Sequence, residues 1–181
     1  YVRNNSAGIK LYLGHTHGGL IMDNLEDWVV YFREIPDDVL ICVHAETSIL
    51  GRVLFLASIY KKKIHICHVS TKEDIIMIRE AKNSGINVTC EVCPHHLFLH
   101  KQHPDVNMEQ SRWKVCPPLA NEEDCQVLWN NLDIIDCFAT DHAPHLMSEK
   151  IGDNGPPGFT GLEVVLPLLL NAVNEGKLTI E

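Results

Sequence analysis

The 181-residue sequence contains no apolar run long enough to cross a bilayer and no stretch with the make-up of a secretory leader. Basic residues are in the minority: 15 Lys and Arg face 24 Asp and Glu, for a formal net charge of −9. That balance speaks against a nucleic-acid partner. Membrane and nucleic acid are therefore both set aside. A paired cysteine framework is also missing. The seven cysteines are odd in number, scattered, and mostly inside apolar strand-like runs, which points to reduced thiols and a cytoplasmic setting. The chain opens without Met and reaches its first strand-like run within a few residues. We read it as a fragment, residues 1–181 being the C-terminal part of one domain whose N-terminal strands lie upstream.

What is present is the composition of a soluble globular protein, 45% apolar and 22% charged, long enough for one core. Eleven histidines are many for this length, and several end apolar runs. The pattern predicts strands over Ala7–Leu13, Val39–His44, Ile64–Val69, Ile86–Val92 and Ile134–Phe138. Helices are predicted from about Asn24 to Phe32, Ser48 to Tyr60, through Ile75, Ile78 and Ala81 to a stop at Gly85, after an Asn121 cap, and from Leu162 to Asn174 despite Pro167. Ser70-Thr-Lys-Glu73 reads as a capping box. Pro94 to Pro118 reads as a long irregular stretch.

Strand and helix thus alternate, and nearly continuous apolar strands joined by helical crossovers imply a parallel sheet buried on both faces. In such sheets the working residues gather at the strands' C-terminal ends. Lys10, His44, His68, Glu91 and Asp141 all lie within or at the ends of successive strands, a coincidence that core filling explains poorly. The last of them belongs to Ala139-Thr-Asp-His-Ala-Pro-His145, followed by Lys150. A carboxylate and imidazoles after a strand can bind metal, move protons or hold an anion. A polar turn is the plain alternative.

A strand lysine, one histidine on each of the next two strands and an aspartate on the last resemble the amidohydrolase superfamily. Within it, Ala139–His145 with Lys150 resembles a dihydroorotase signature. Gly8–Leu13, Val43-His-Ala-Glu46, His65-Ile-Cys-His68, Thr89–Val92 with Pro94–Phe98, and Pro156–Phe159 are similar to the dihydroorotases of animal-type multifunctional enzymes of pyrimidine synthesis. The resemblance implies a (β/α)8 TIM-type barrel, here about strands four to eight. It implies a zinc-dependent hydrolase that interconverts N-carbamoyl-L-aspartate and L-dihydroorotate. It makes Lys10 a lysine carbamylated by carbon dioxide and bridging two zinc ions, His44 and His68 ligands of one, and Asp141 a ligand of the other and the general base. Cys67 and Glu91 match positions of a third zinc, although Cys67 reads equally well as a buried strand cysteine. His145, Pro157, Gly158 and the Cys116 position are implied in substrate binding, and Thr16 in a loop closing over the site. The implied partners are the small-molecule substrate, further copies in a homo-oligomer, and fused carbamoyl-phosphate synthetase and aspartate carbamoyltransferase domains.

Three features depart from the family pattern. The first-strand His-x-His pair is absent, and His15-Thr-His17 lies in a loop rather than on that strand. Cys116 stands where an Arg or Asn is expected; Arg112 is a conceivable substitute. Cys90-Glu-Val-Cys93 is CxxC-like, but a strand sends its two cysteines to opposite faces. A sister enzyme of the dihydropyrimidinase or allantoinase kind and a non-catalytic scaffold are the competing readings. Five barrel strands alone are expected to be unstable and inactive.

Overall fold

The computed structural model describes residues 5–14, 19–151 and 154–180. Five parallel strands form one sheet in sequential order: β1 (Gly8–Tyr12), β2 (Leu40–His44), β3 (Ile64–Ile66), β4 (Val88–Val92) and β5 (Cys137–Phe138). Helices α1 (Leu25–Glu34), α2 (Thr47–Tyr60) and α3 (Lys72–Asn83) fill the first three crossovers. The fourth holds α4 (Pro94–Phe98), a 3-10 turn (Ser111–Trp113) and α5 (Glu122–Trp129). After β5 come α6 (Met147–Lys150) and α7 (Val165–Asn174).

The sheet does not bury both faces, as the apolar runs had suggested. Its residues alternate. Leu11, Ile41, Val43, Ile64, Ile66, Val88, Cys90 and Val92 are buried in the core shared with Trp28, Phe32, Leu50, Val53, Ile75 and Ile78 of the helices. The intervening residues share the other face, because Lys10 pairs with Cys42, Cys42 with His65, and His65 with Thr89. Strands in sequential order with their helices packed on one side form a segment of a (β/α)8 barrel; a doubly wound sheet would reverse its order and cover both faces.

Local chemistry explains the helix starts. The Asn24 side chain accepts from Glu26 N–H at 3.0 Å, and Glu26 and Asp27 occupy the positive end of α1. In α3 the predicted box moves one residue along. Thr71, not Ser70, is the cap; its hydroxyl accepts from Asp74 N–H at 3.2 Å and donates to the Asp74 carboxylate at 2.7 Å. The predicted stop at Gly85 holds, with φ +80°. Asn121 forms a reciprocal capping box with Asp124. Two expected features are shorter or more ordered than the pattern suggested. Strand β5 keeps only Cys137–Phe138, and the supposedly irregular Pro94 stretch opens with α4, whose Pro94 occupies the first turn where no N–H is needed.

Candidate metal centre

The site forms where β1, β2 and β3 end and where the chain leaves β5. His44 is the last residue of β2. His68 lies two residues beyond β3 at φ 40°, and Asp141 three beyond β5 at φ 43°. Positive φ is costly for residues with a side chain and clusters at sites where the surroundings enforce it. Here it turns both side chains toward β1 and β2.

His44 Nδ1 and His68 Nε2 face each other at 2.8 Å, with both rings buried. Burial works against charge on His44, but Cys116 and Glu46 beside it outweigh burial and raise it to about 9. Burial, then the charges of His44 and Lys10, hold His68 well below the ordinary range for histidine. Glu46 lies 3.5 Å from His44 Nε2 and fixes the ring from behind. Burial pushes the Asp141 carboxyl up, opposed by Lys10.

One cleft of about 160 Å³ brings together seven predicted residues, namely Lys10, His44, His68, Cys116, Asp141, Pro157 and Gly158, with Tyr12 as an additional wall. The Lys10 ammonium sits 5.4 Å from the centre of the Tyr12 ring. Gly158 has φ +141°, and a Cβ there would lie 2.6 Å from Ala143 Cβ. Only glycine fits this close approach.

His145 stands outside that cleft. It is exposed, donates through Nε2 to the Pro157 carbonyl at 3.2 Å, and lines an adjoining cavity of about 180 Å³ with Arg112 and Lys150. Arg112, the conceivable substitute for a cation at Cys116, reaches this second cavity and stacks 5.0 Å over the Trp113 ring. Thr16 and His15-Thr-His17 lie outside the described residues.

Glu91 lies beside His65 and near enough to Cys67 for its charge to act on that thiol. Its carboxylate meets His65 Nε2 at 3.0 Å, and His65 Nδ1 meets Thr89 Oγ1 at 2.8 Å. Burial favours the protonated acid, yet the hydrogen bond and charge of His65 lower Glu91 overall. Potential ligand atoms of His65, Glu91 and Cys137 lie within 4.8 Å of one another, as do those of Cys93, His95 and His96. Cys67 is in neither group; burial raises its thiol to about 11. His65 and Cys137 were legible in principle, since counting by twos from Glu91, with the register of Lys10, puts them on the same face. Tyr12 was legible by the same count.

Two imidazole nitrogens converging on one point, beside a carboxylate and a lysine amine, fit a divalent cation. An unmodified ammonium is no ligand, so Lys10 fits only as a carbamate, which supplies two hard oxygens.

No protein-family profile matches the chain. It is 49% identical over 180 residues to the "Multifunctional protein CAD" of Squalus acanthias, covering 99% of this chain and 8% of that protein. It is 34% identical over 188 residues to a "Dihydroorotase" of Pyrococcus furiosus, covering 95% of this chain and 42% of that one. The chain therefore spans less than half of either relative. Among solved structures it is similar to the L-hydantoinase (dihydropyrimidinase) of Arthrobacter aurescens, with TM-score 0.88 and 24% identity over 98% of this chain and 48% of the other. It is also similar to the inactive dihydroorotase-like domain of a CAD-like multifunctional protein of Chaetomium thermophilum, with TM-score 0.76 and 30% identity over 99% of this chain and 50% of the other.

Proposed function

Because the chain resembles a segment of dihydroorotases over nearly all of its own length, we propose that it carries half of the active site of a zinc-dependent dihydroorotase. The reaction is the reversible closure of N-carbamoyl-L-aspartate to L-dihydroorotate with loss of water, a step of pyrimidine synthesis. The observation that carries this reading is the 2.8 Å approach of His44 Nδ1 to His68 Nε2 in a cleft shared with Lys10 and Asp141.

Lys10, after addition of its neutral amine to carbon dioxide with loss of a proton, and His44, His68 and Asp141 would hold two zinc ions; Glu91, with His65 and Cys137 as near neighbours, is the candidate for a third. Bound zinc polarises the reacting carbonyl and makes water acidic at neutral pH. Asp141, in the cleft beside Lys10, His44 and His68, would take a proton on the hydrolytic path and return it to the leaving ring nitrogen. Gly158 leaves room for the ring, while Pro157, with His145 hydrogen-bonded to it, forms the rim that receives the carboxylate. Cys116 offers only a weak donor at that wall. Thr16 is assigned to the loop that closes the site. The likeness to 8% of a multifunctional protein supports fusion of this segment to further domains; the proposal makes these carbamoyl-phosphate synthetase and aspartate carbamoyltransferase domains, in a cytoplasmic homo-oligomer.

Cys116 and the likeness to a domain described as inactive favour one other reading, a barrel kept for assembly. Zinc analysis and assay of the full-length protein separate them. The dihydroorotase reading expects about two or three zinc ions per chain and turnover of carbamoyl-aspartate. Turnover of hydantoin or allantoin alone would move the chain to a sister activity, and a metal-free, inert protein would make it a scaffold.

A further inference from the structure

The four-residue helix α6 ends on Lys150, a lysine only 8% exposed that does not line the cleft. Its Nζ donates to two backbone carbonyls, Lys114 O at 3.0 Å and Pro156 O at 2.8 Å, and stands 5.8 Å from the centre of the Phe159 ring. Lys114 O also accepts from Gly158 N–H at 3.0 Å. The carbonyl of Lys150 itself accepts from the Ser111 hydroxyl. These bonds join three separate pieces of chain. Lys114 leads into Cys116, Pro156 leads into Pro157 and Gly158, and α6 follows directly on the loop that carries Asp141 and His145.

Lys150 is held here by hydrogen bonds to two neutral carbonyls. A neutral apolar side chain of the same length would take this donor from the Pro156 carbonyl and cut the direct link between Pro156 and Lys114, while Lys114 O keeps the Gly158 N–H. An ammonium, with three donors on a compact head, reaches both carbonyls at once and keeps a third N–H toward the ring face.

We infer that Lys150 is a positioning residue, which sets the distance between the Cys116 segment and the Pro157–Gly158 loop and so fixes the pocket for the substrate carboxylate. This rests on the dihydroorotase reading. Lys150 does not line the cleft that holds Lys10, His44, His68 and Asp141, so its removal should loosen substrate binding while leaving the chemistry of the cleft in place.

The test uses the full-length, zinc-loaded protein with L-dihydroorotate as substrate. Lys150→Met is expected to raise KM about tenfold, with kcat within about threefold and zinc content unchanged. Lys150→Gln keeps two N–H donors on one head and is expected to recover most of the lost KM. An unchanged KM in Lys150→Met, a Gln variant no better than Met, or a loss of kcat together with zinc overturns the inference. Should Lys150→Met not fold, Ser111→Ala removes the hydroxyl that holds the Lys150 carbonyl and is expected to raise KM about threefold at constant kcat; an unchanged KM there overturns it equally. A wild-type protein that does not turn over dihydroorotate fails the dihydroorotase reading and takes this inference with it. An active wild type with indifferent variants fails the inference alone.

Discussion

Gly158 and His96 show how single residues here shape the backbone around the cleft. At Gly158 the left-handed-side φ of +141° and the 2.6 Å approach of any Cβ to Ala143 leave no room for a side chain. Gly158→Ala is expected to cost about 1–3 kcal/mol of stability and to raise KM at least about tenfold, measured by denaturant titration and steady-state assay of the full-length protein. His96 is fully buried and donates through Nε2 to the Pro117 carbonyl at 3.1 Å, next to Cys116. Burial pushes it down to about 4, and burial with the neighbouring His96 charge pushes His95 to about 2. Both folded values lie below the ordinary histidine value near 6.5, so the unfolded chain takes up the protons first. Stability is then complete above about pH 6.5 and falls below it, by about 1.4 kcal/mol per pH unit for each ring, down to the folded values. Urea midpoints of the full-length protein at pH 7 and pH 5 should differ accordingly, and His96→Gln, which keeps a donor for Pro117, should reduce the slope by that ring's share, with His95 and His68 still contributing in the same direction. None of this was legible from the sequence, where His95 and His96 stood only as histidines near the barrel mouth. Burial and the partner carbonyl are tertiary facts.

Among the elements, the helix starts are linked pairwise by buried carboxylates. Asp74, in the first turn of α3, accepts from Thr71 Oγ1 at 2.7 Å and also from Thr47 N–H, at the start of α2, at 2.6 Å. Asp124, in the first turn of α5, accepts from Asn121 N–H at 2.9 Å and from Lys72 N–H, at the start of α3, at 3.0 Å. Each acid thus ties the starts of two helices together, Asp124 through two N–H groups and Asp74 through the Thr47 N–H and the Thr71 hydroxyl. Asp74→Ala takes the acceptor from the Thr47 N–H and the Thr71 hydroxyl and is expected to destabilise the full-length protein by about 1–2 kcal/mol, read from its unfolding midpoint. Asp74→Asn, which retains an acceptor, should cost less than half of that. The capping chemistry was visible in Asn121 and in the Ser70–Glu73 neighbourhood, yet the Thr71 cap lay one residue along. Two overlapping boxes, Ser70 with Glu73 and Thr71 with Asp74, compete in the sequence. Asp74 wins because it can also reach Thr47, a residue distant in sequence.

For the whole molecule the decisive feature is the sheet's polar face. Lys10, His65, Thr89 and Glu91 occupy the side that a closed barrel would enclose, and β1 and β5 each pair on one side only among the described residues. Large apolar side chains also face solvent, Leu146 at 69%, Ile151 at 68% and Leu166 at 62% exposure. Residues 1–181 expressed alone are expected to lack a cooperative calorimetric transition and to show no dihydroorotase activity, because unpaired edges and uncovered apolar surface favour association over a single fold. A sharp transition with full activity would show that these residues suffice. The sequence by itself determined the alternation of strands and helices, the order of the strands, and the chemical identity of Lys10, His44, His68 and Asp141, since periodicity and residue type are local properties. Tertiary structure decided which of these share a cleft and which do not. It placed His44 against His68, paired Glu91 with His65, left His145 on the rim, and set Lys150 between two loops. Those outcomes depend on register between strands and on backbone turns at His68 and Asp141. Both arise from packing between segments far apart in the chain, and no local pattern encodes them.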